Sequence, residues 1–179
     1  MMSAQDLSSY NTIRMAGVIR ESIVDGPGLR FVVFAQGCPH GCPGCHNPAT
    51  HDFNGGKDCA LEKILAAIDE NPLLDGVTFS GGEPMSQPEA FCNLAVGIKE
   101  RGLNLIIYTG YTYEELQALA ADRPAIRELL ALTDLLIDGR FKQEERDLSL
   151  LFRGSRNQRV IDMNLTRENG KLTLAEKYL

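Results

Sequence analysis

Gly76-Val77-Thr78-Phe79-Ser80-Gly81-Gly82-Glu83-Pro84 is the stretch on which the fold turns. Residues 76–80 read as a short apolar strand that runs directly into a glycine pair and a proline. Downstream, Phe91, Leu94, Ala95 and Ile98 share one face of a helix. Residues 103–108 then form a nearly continuous apolar run, as a strand covered on both faces should. Upstream, Leu61, Ile64, Leu65 and Ile68 recur at helical spacing. Helical patterns return at 113–121 and 126–132, and a strand at 135–138. Strand, helix, strand, helix, strand predicts right-handed βαβ units on a parallel sheet. The units are too few for a closed eight-stranded barrel, which takes about 250 residues. The expected class is α/β: a partial, open β/α barrel with mostly parallel strands. Residues 159–163 and 171–174 read as late strands.

Before this core, residues 15–24 and 29–36 are two β-rich runs. Asp25-Gly26-Pro27-Gly28 lies between them and reads as a hairpin connection. Residues 1–13 are expected to form an N-terminal tail and 14–179 a single domain. The net charge of −6 argues against a nucleic-acid partner, because phosphate binding needs clustered Lys and Arg. No apolar run approaches the roughly 20 residues of a membrane span. Residues 1–11 lack the basic stretch and apolar core of a secretory signal, so a cytoplasmic location away from membranes is expected.

Residues 37–56 form a loop rich in Gly, Pro, His and Cys, and loops of this length are usually functional or disordered. It contains Gly37-Cys38-Pro39-His40-Gly41-Cys42-Pro43-Gly44-Cys45-His46-Asn47-Pro48. The chain has five cysteines, an odd number, and a cytoplasmic setting is expected. Clustered cysteines in that setting are more often metal ligands or catalysts than disulfides. Cys38, Cys42 and Cys45 stand at Cys-x3-Cys-x2-Cys, so each thiolate can reach a different iron of one cubane. An electron carrier normally uses four cysteines. Three leave one iron open to act on a substrate. The competing reading is a Cys3His zinc site that recruits His40, His46 or His51. Against it, zinc knuckles favour paired Cys-x2-Cys elements, and only one cluster is present. Cys59 and Cys92 read as packing residues. The glycines at 81 and 82 allow backbone to approach a ligand at the end of a strand. Their carbonyls and the Glu83 region can accept hydrogen bonds from an ammonium group.

Cys-x3-Cys-x2-Cys followed by Gly-Gly-Glu-Pro resembles the radical S-adenosylmethionine enzymes. The resemblance implies one 4Fe-4S cluster on Cys38, Cys42 and Cys45, with no catalytic residue beyond these ligands. It implies that S-adenosyl-L-methionine binds the open iron and lies against Gly44, Cys45, His46, Gly81, Gly82 and Glu83. Further motifs are similar to those of the activating proteins of anaerobic ribonucleoside-triphosphate reductases, over about residues 14–162. They are Asp25-Gly26-Pro27-Gly28-Leu29-Arg30, Gly44-Cys45-His46-Asn47, Tyr108-Thr109-Gly110-Tyr111, Leu136-Ile137-Asp138-Gly139-Arg140-Phe141 and Arg153-Gly154-Ser155-Arg156-Asn157-Gln158. This narrower likeness implies reductive cleavage of S-adenosylmethionine and a glycyl radical on the large subunit of the reductase. A flavodoxin-like or ferredoxin-like protein would donate the electron. Activators of pyruvate formate-lyase share the Asp-Gly-Pro-Gly and Cys-His-Asn features but are longer. A non-catalytic iron–sulfur or zinc module is the reading from a different class.

One position departs from the pattern. Many such enzymes carry an aromatic residue just before the third Cys, near the adenine, and here it is Gly44. Adenine contacts are then expected from backbone at 44–46, or from Tyr108 or Tyr111. Residues 153–159 are dense in donors. They are expected over the cofactor or against the reductase, the alternative being a solvated surface loop.

Overall fold

The computed structural model describes residues 9–178. Strand β1 (Thr12–Ser22) turns back as β2 (Arg30–Ala35), antiparallel to it. The connection at 25–28 is therefore the expected hairpin. The other edge of β1 pairs with the short strand β3 (Lys57–Ala60), also antiparallel. From β2 onward the sheet is parallel through β4 (Gly76–Gly81), β5 (Asn104–Tyr108) and β6 (Leu135–Asp138). Strand β7 (Arg159–Asp162) closes the series antiparallel to β6. The order is β3-β1-β2-β4-β5-β6-β7, an open seven-stranded sheet, parallel in its centre and antiparallel at both edges.

Helices α1 (Leu61–Asp69), α2 (Pro88–Glu100), α3 (Tyr113–Leu119) and α4 (Pro124–Leu132) pack on one face. Proline at the first helical position starts α2 and α4, where its missing N–H costs nothing. Thr112 and Glu115 cap α3 reciprocally. Phe91, Leu94, Ala95 and Ile98 of α2 meet Phe31, Val33, Val77, Phe79, Leu105 and Ile107 from the outer face of the sheet in the main core. The inner face is covered differently. Ile106, Leu135, Ile137 and Val160 pack under Ala175 and Tyr178 near the C-terminus. Toward the carboxyl ends of the strands, Phe34, Ser80 and Tyr108 on the same face border open cavities.

Three details differ from the sequence reading. Strand β1 begins at Thr12, inside the expected tail, of which residues 1–8 lie outside the described region. Residues 171–174 are not a strand. Helix α5 (Met163–Asn169) intervenes and ends on Gly170 at φ 64°. The chain then returns along β7 with a single bridge, Ile161 to Leu174. Strand β3 also went unseen, because Lys57 and Asp58 are exposed and only four residues pair. Among the described residues, no helix is long and apolar enough to cross a membrane.

At the amino ends of the parallel strands the inner face buries Arg30, which is 1% exposed. Its Nε donates to Thr78 Oγ1 at 2.7 Å, and its Nη atoms donate to the carbonyls of Pro27, Val77 and Asn104. Thr78 Oγ1 in turn donates to Asp25 O at 2.8 Å. The hairpin turn is thus pinned to the sheet. A Cβ on Gly26, whose φ is +129°, would lie 2.6 Å from Ile106 Cδ1, so this turn has no room for another residue. Burial lowers the Arg30 pKa to about 10. Replacement of Arg30 by Met leaves three carbonyls without their donor. The expected loss is about 3 kcal/mol, read from denaturant unfolding, and an unchanged midpoint would contradict this role.

At the far edge, Arg159 pairs with the buried Asp138 and with Glu114. Hydrogen bonding from Arg159 lowers the Glu114 pKa from 4.5 to about 2. A depressed carboxylate stabilises the fold above its unfolded pKa and loses that contribution as pH falls toward the folded value. Glu114 is 63% exposed, so the gain is screened and stays under about 1 kcal/mol. Melting of the wild type and Glu114→Gln should differ above pH 4.5 and converge as the pH drops toward 2.

Candidate iron–sulfur and cofactor site

The loops that leave the carboxyl ends of β2, β4, β5 and β6 meet over the inner face of the sheet. In the cysteine loop, Gly37 N donates to Thr50 O and Cys38 N to His51 O, which pins its two ends together. Cys45 N donates to Cys42 O and closes a tight turn. Gly41 and Gly44 hold positive φ within it. Cys38, Cys42 and Cys45 are free thiols, and all three line one recess of about 120 Å³. Gly81, Gly82, Thr109 and Gly110 contribute to the same recess. Cys59 sits at the edge of the sheet on β3, and Cys92 is in the core on α2. Burial pushes the Cys92 thiol up to about 11.

Burial also pushes up the Cys38 and Cys42 thiols. Backbone N–H groups of His40 and Gly41 work against this at Cys38, and that of Phe141 at Cys42. Asn47 N lies 3.4 Å from Cys45 Sγ as a donor. Such bonds to sulfur favour the thiolate and tune what it binds. Among the described residues, no three or more His, Cys, Asp or Glu side chains converge tightly enough to grip a single ion. The thiols instead border one recess from a shared loop, as one-thiolate-per-iron binding requires.

The glycine loop is stitched to the cysteine loop by backbone. Gly82 N donates to Ala35 O and Glu83 N to Gly37 O, both at 2.8 Å. Gly81 has φ +93°, and a Cβ there would lie 2.7 Å from Phe34 Cα. A Cβ on Gly82 would lie 2.5 Å from Gly37 O. Both glycines are therefore demanded by the protein's own backbone. Glu83 does not line the recess. Its carboxylate is 0% exposed and accepts from Met85 N, Thr109 Oγ1, Gly110 N and His40 at 2.8–3.0 Å. The wall that faces the thiols is the backbone at Gly81 and Gly82.

A larger cavity of about 440 Å³ shares Cys42, Cys45, Ser80, Tyr108, Phe141 and Gln158 with the recess. It also reaches His46, Asn47, Asp25, Leu150, Phe152 and Arg153. Gly44 borders neither cavity, and its absent Cβ would lie 2.7 Å from Gln143 Oε1. Phe141 is close to that point, 3.4 Å from the same Cβ position, and its ring lies 5.7 Å from that of His46. An aromatic ring beside the third Cys is thus supplied from the loop after β6. Tyr108 borders both cavities, with its phenol pKa raised by burial. Tyr111 borders neither and packs edge-on against His40 at 4.5 Å.

Residues 153–159 serve mainly as a brace. Ser155 is buried. Asn157 Nδ2 donates to Arg140 O, and Gln158 Nε2 donates to Gly139 O. Together they fix the loop that carries Phe141. Arg156 is exposed and pairs with Asp147, while Arg159 is taken by Asp138 and Glu114. Only Arg153 and Gly154, with Gln158, reach the larger cavity. The sequence reading missed Phe141 as a site residue and His40 as an anchor. Phe141 stood inside a quoted motif, and His40 lay between two of the cysteines.

The family described as "4Fe-4S single cluster domain" matches residues 24–161, more than two thirds of the chain. An anaerobic ribonucleoside-triphosphate reductase-activating protein of Salmonella typhi is 34% identical over 147 residues, 77% of this chain and 91% of the relative. That of Escherichia coli (strain K12) is 35% identical over 146 residues, with the same coverage. A pyruvate formate-lyase-activating enzyme of Clostridium pasteurianum is 38% identical over 130 residues, 69% of this chain but only 50% of the relative. With three thiols on a single loop, an iron–sulfur domain match and likeness along nearly the full length of these activators, the chain belongs to the family of anaerobic ribonucleoside-triphosphate reductase-activating proteins.

Proposed function

We propose that this protein binds one 4Fe-4S cluster, cleaves S-adenosyl-L-methionine reductively and places a glycyl radical on the large subunit of an anaerobic ribonucleoside-triphosphate reductase. The observation that carries the reading is the recess itself. Cys38, Cys42 and Cys45, from one loop, face the Gly81–Gly82 backbone at the carboxyl ends of parallel strands. Ligands of open α/β sheets bind at such ends. Three soft thiolates fit an iron–sulfur cluster and leave one iron free. When bound on Cys38, Cys42 and Cys45, the cluster would supply the electron for reductive cleavage of the sulfonium C–S bond, the chemistry needed for removal of a Cα hydrogen from a glycine of the partner.

The chain's own residues then have distinct tasks. Cys38, Cys42 and Cys45 hold three irons, and the Asn47 N–H beside Cys45 Sγ tempers the sulfur charge. The Gly81 and Gly82 backbone offers carbonyls to the ammonium of the cofactor's methionine part. Phe141 and Tyr108, which border both the recess and the larger cavity, present their rings where the two adjoin. That larger cavity is open enough to admit a glycine-bearing loop of the reductase. A flavodoxin-like or ferredoxin-like donor supplies the electron.

Anaerobic mixing with the reductase, a reductant and S-adenosylmethionine should give 5′-deoxyadenosine and an electron paramagnetic resonance doublet of a glycyl radical. Free 5′-deoxyadenosine with no radical on this reductase, but a radical on pyruvate formate-lyase, would reassign the partner. Neither product from a fully loaded protein would leave a non-catalytic module. Cys38→Ala, Cys42→Ala and Cys45→Ala should each lose most of the bound iron, whereas Cys59→Ala and Cys92→Ala should keep it. Because burial holds the Cys38 and Cys42 thiols up, cluster assembly should also speed up as pH rises from neutral and stall at acidic pH. Assembly indifferent to pH would argue against thiolate ligation.

A further inference from the structure

We infer that His40 is a positioning residue that locks the cysteine loop to the Gly81-Gly82-Glu83 turn, so that the thiols and the cofactor-facing backbone hold one fixed geometry. The inference rests on the cluster reading above and assigns a task to a side chain that borders the same recess as the thiols but has both ring nitrogens engaged by protein groups.

The ends of the cysteine loop are held by backbone bonds at Gly37 and Cys38. Between Cys38 and Cys42, the anchor is the His40 side chain, which is 4% exposed. Its Nε2 lies 2.9 Å from Glu83 Oε2, and its Nδ1 lies 3.2 Å from Arg140 Nε. A guanidinium can only donate, so Nδ1 accepts, and Nε2 carries the N–H that donates to Glu83. Arg140 thereby fixes the tautomer. Glu83 belongs to the loop after β4, Gly110 and Tyr111 to the loop after β5, and Arg140 to the loop after β6. One imidazole from the loop after β2 meets all three.

The surroundings are shaped to this ring. A Cβ on Gly110 would overlap the imidazole, so glycine is required there for His40 to sit. Tyr111 stacks edge-on against it. Thr109 Oγ1 and Gly110 N donate to the same carboxylate that His40 reaches. The motifs Tyr108-Thr109-Gly110-Tyr111 and Asp138-Gly139-Arg140-Phe141 thus acquire a shared physical purpose. They build the seat and the partner of His40.

A histidine that only filled space would be replaced best by a residue of its shape, and one that acts through its N–H by a residue with that donor. His40→Phe keeps the ring and loses the donor. His40→Gln places an amide N–H the same number of bonds from Cα and loses the ring. Each is reconstituted anaerobically, its iron and sulfide are counted, and its affinity for S-adenosylmethionine is measured by equilibrium dialysis. The reduced-cluster resonance is recorded with and without S-adenosylmethionine. The expected result is near-normal iron in both. His40→Phe should bind S-adenosylmethionine about tenfold more weakly, with an altered resonance, the scale of one charge-assisted hydrogen bond. His40→Gln should recover to within about threefold of wild type. Wild-type affinity in His40→Phe, or equal weakness in both variants, would overturn the inference.

If His40→Phe fails to fold or load, Arg140→Met decides the matter. It removes the donor that sets the tautomer from a half-exposed side chain. Normal iron with several-fold weaker S-adenosylmethionine binding supports the lock, and unchanged affinity refutes it. A wild-type protein that binds neither iron nor S-adenosylmethionine would sink the cluster reading itself, an outcome distinct from any difference among variants.

Discussion

Glu83 carries a carboxylate into the interior with no exposed surface, and the site is organised around the need to satisfy it. A buried carboxylate without donors costs several kcal/mol. Here four donors come from three loops: the backbone of its own turn, a hydroxyl and an amide after β5, and the imidazole of the cysteine loop. No single segment can meet that demand alone. The three loops must be in place together, and the thiols of one loop come to face the glycines of another as a result. Polar satisfaction, more than apolar packing, sets the geometry at this end of the sheet.

The opposite end of the same face uses the complementary charge. Arg30 is also buried, yet its donors go to carbonyls and a threonine hydroxyl rather than to a carboxylate. Between the two lie Ile106, Ile137 and their neighbours, a thin apolar layer beneath Ala175 and Tyr178. The four helices α1 to α4 are not on this face. They sit on the outer side, where the long apolar residues of β4 and β5 meet α2. A sheet with one heavily packed face and one sparsely filled face leaves room for chemistry on the second.

Much of this was legible in the sequence. The repeat of strand and helix from residue 61 to 138 follows apolar spacing, and the parallel centre of the sheet follows from it. The cysteine spacing marked the three thiols that border one recess. What escaped detection depends on contacts between distant residues. Strand β3 is four residues long, half of them exposed, and exists because β1 offers it an edge. The donor-rich segment 153–159 reads as a surface or ligand-binding run, yet its amides are spent on the carbonyls of Gly139 and Arg140. Phe141 supplies the ring that Gly44 lacks, across nearly a hundred residues. No periodicity carries such information. His40 differs in kind. Its position between two cysteines invites a ligand role, and only the placement of Glu83 and Arg140 shows where its nitrogens are already engaged.

The glycine pair at 81 and 82 has a consequence for how sequences of this kind are compared. The space that a side chain would need at Gly82 is filled by the carbonyl of Gly37, and at Gly81 by the backbone of Phe34. Selection for glycine at both positions would therefore persist in a descendant that had lost its cofactor, provided that it kept the fold. Glycine retained there marks the seam between two loops, and evidence of inherited chemistry has to be sought at the thiols.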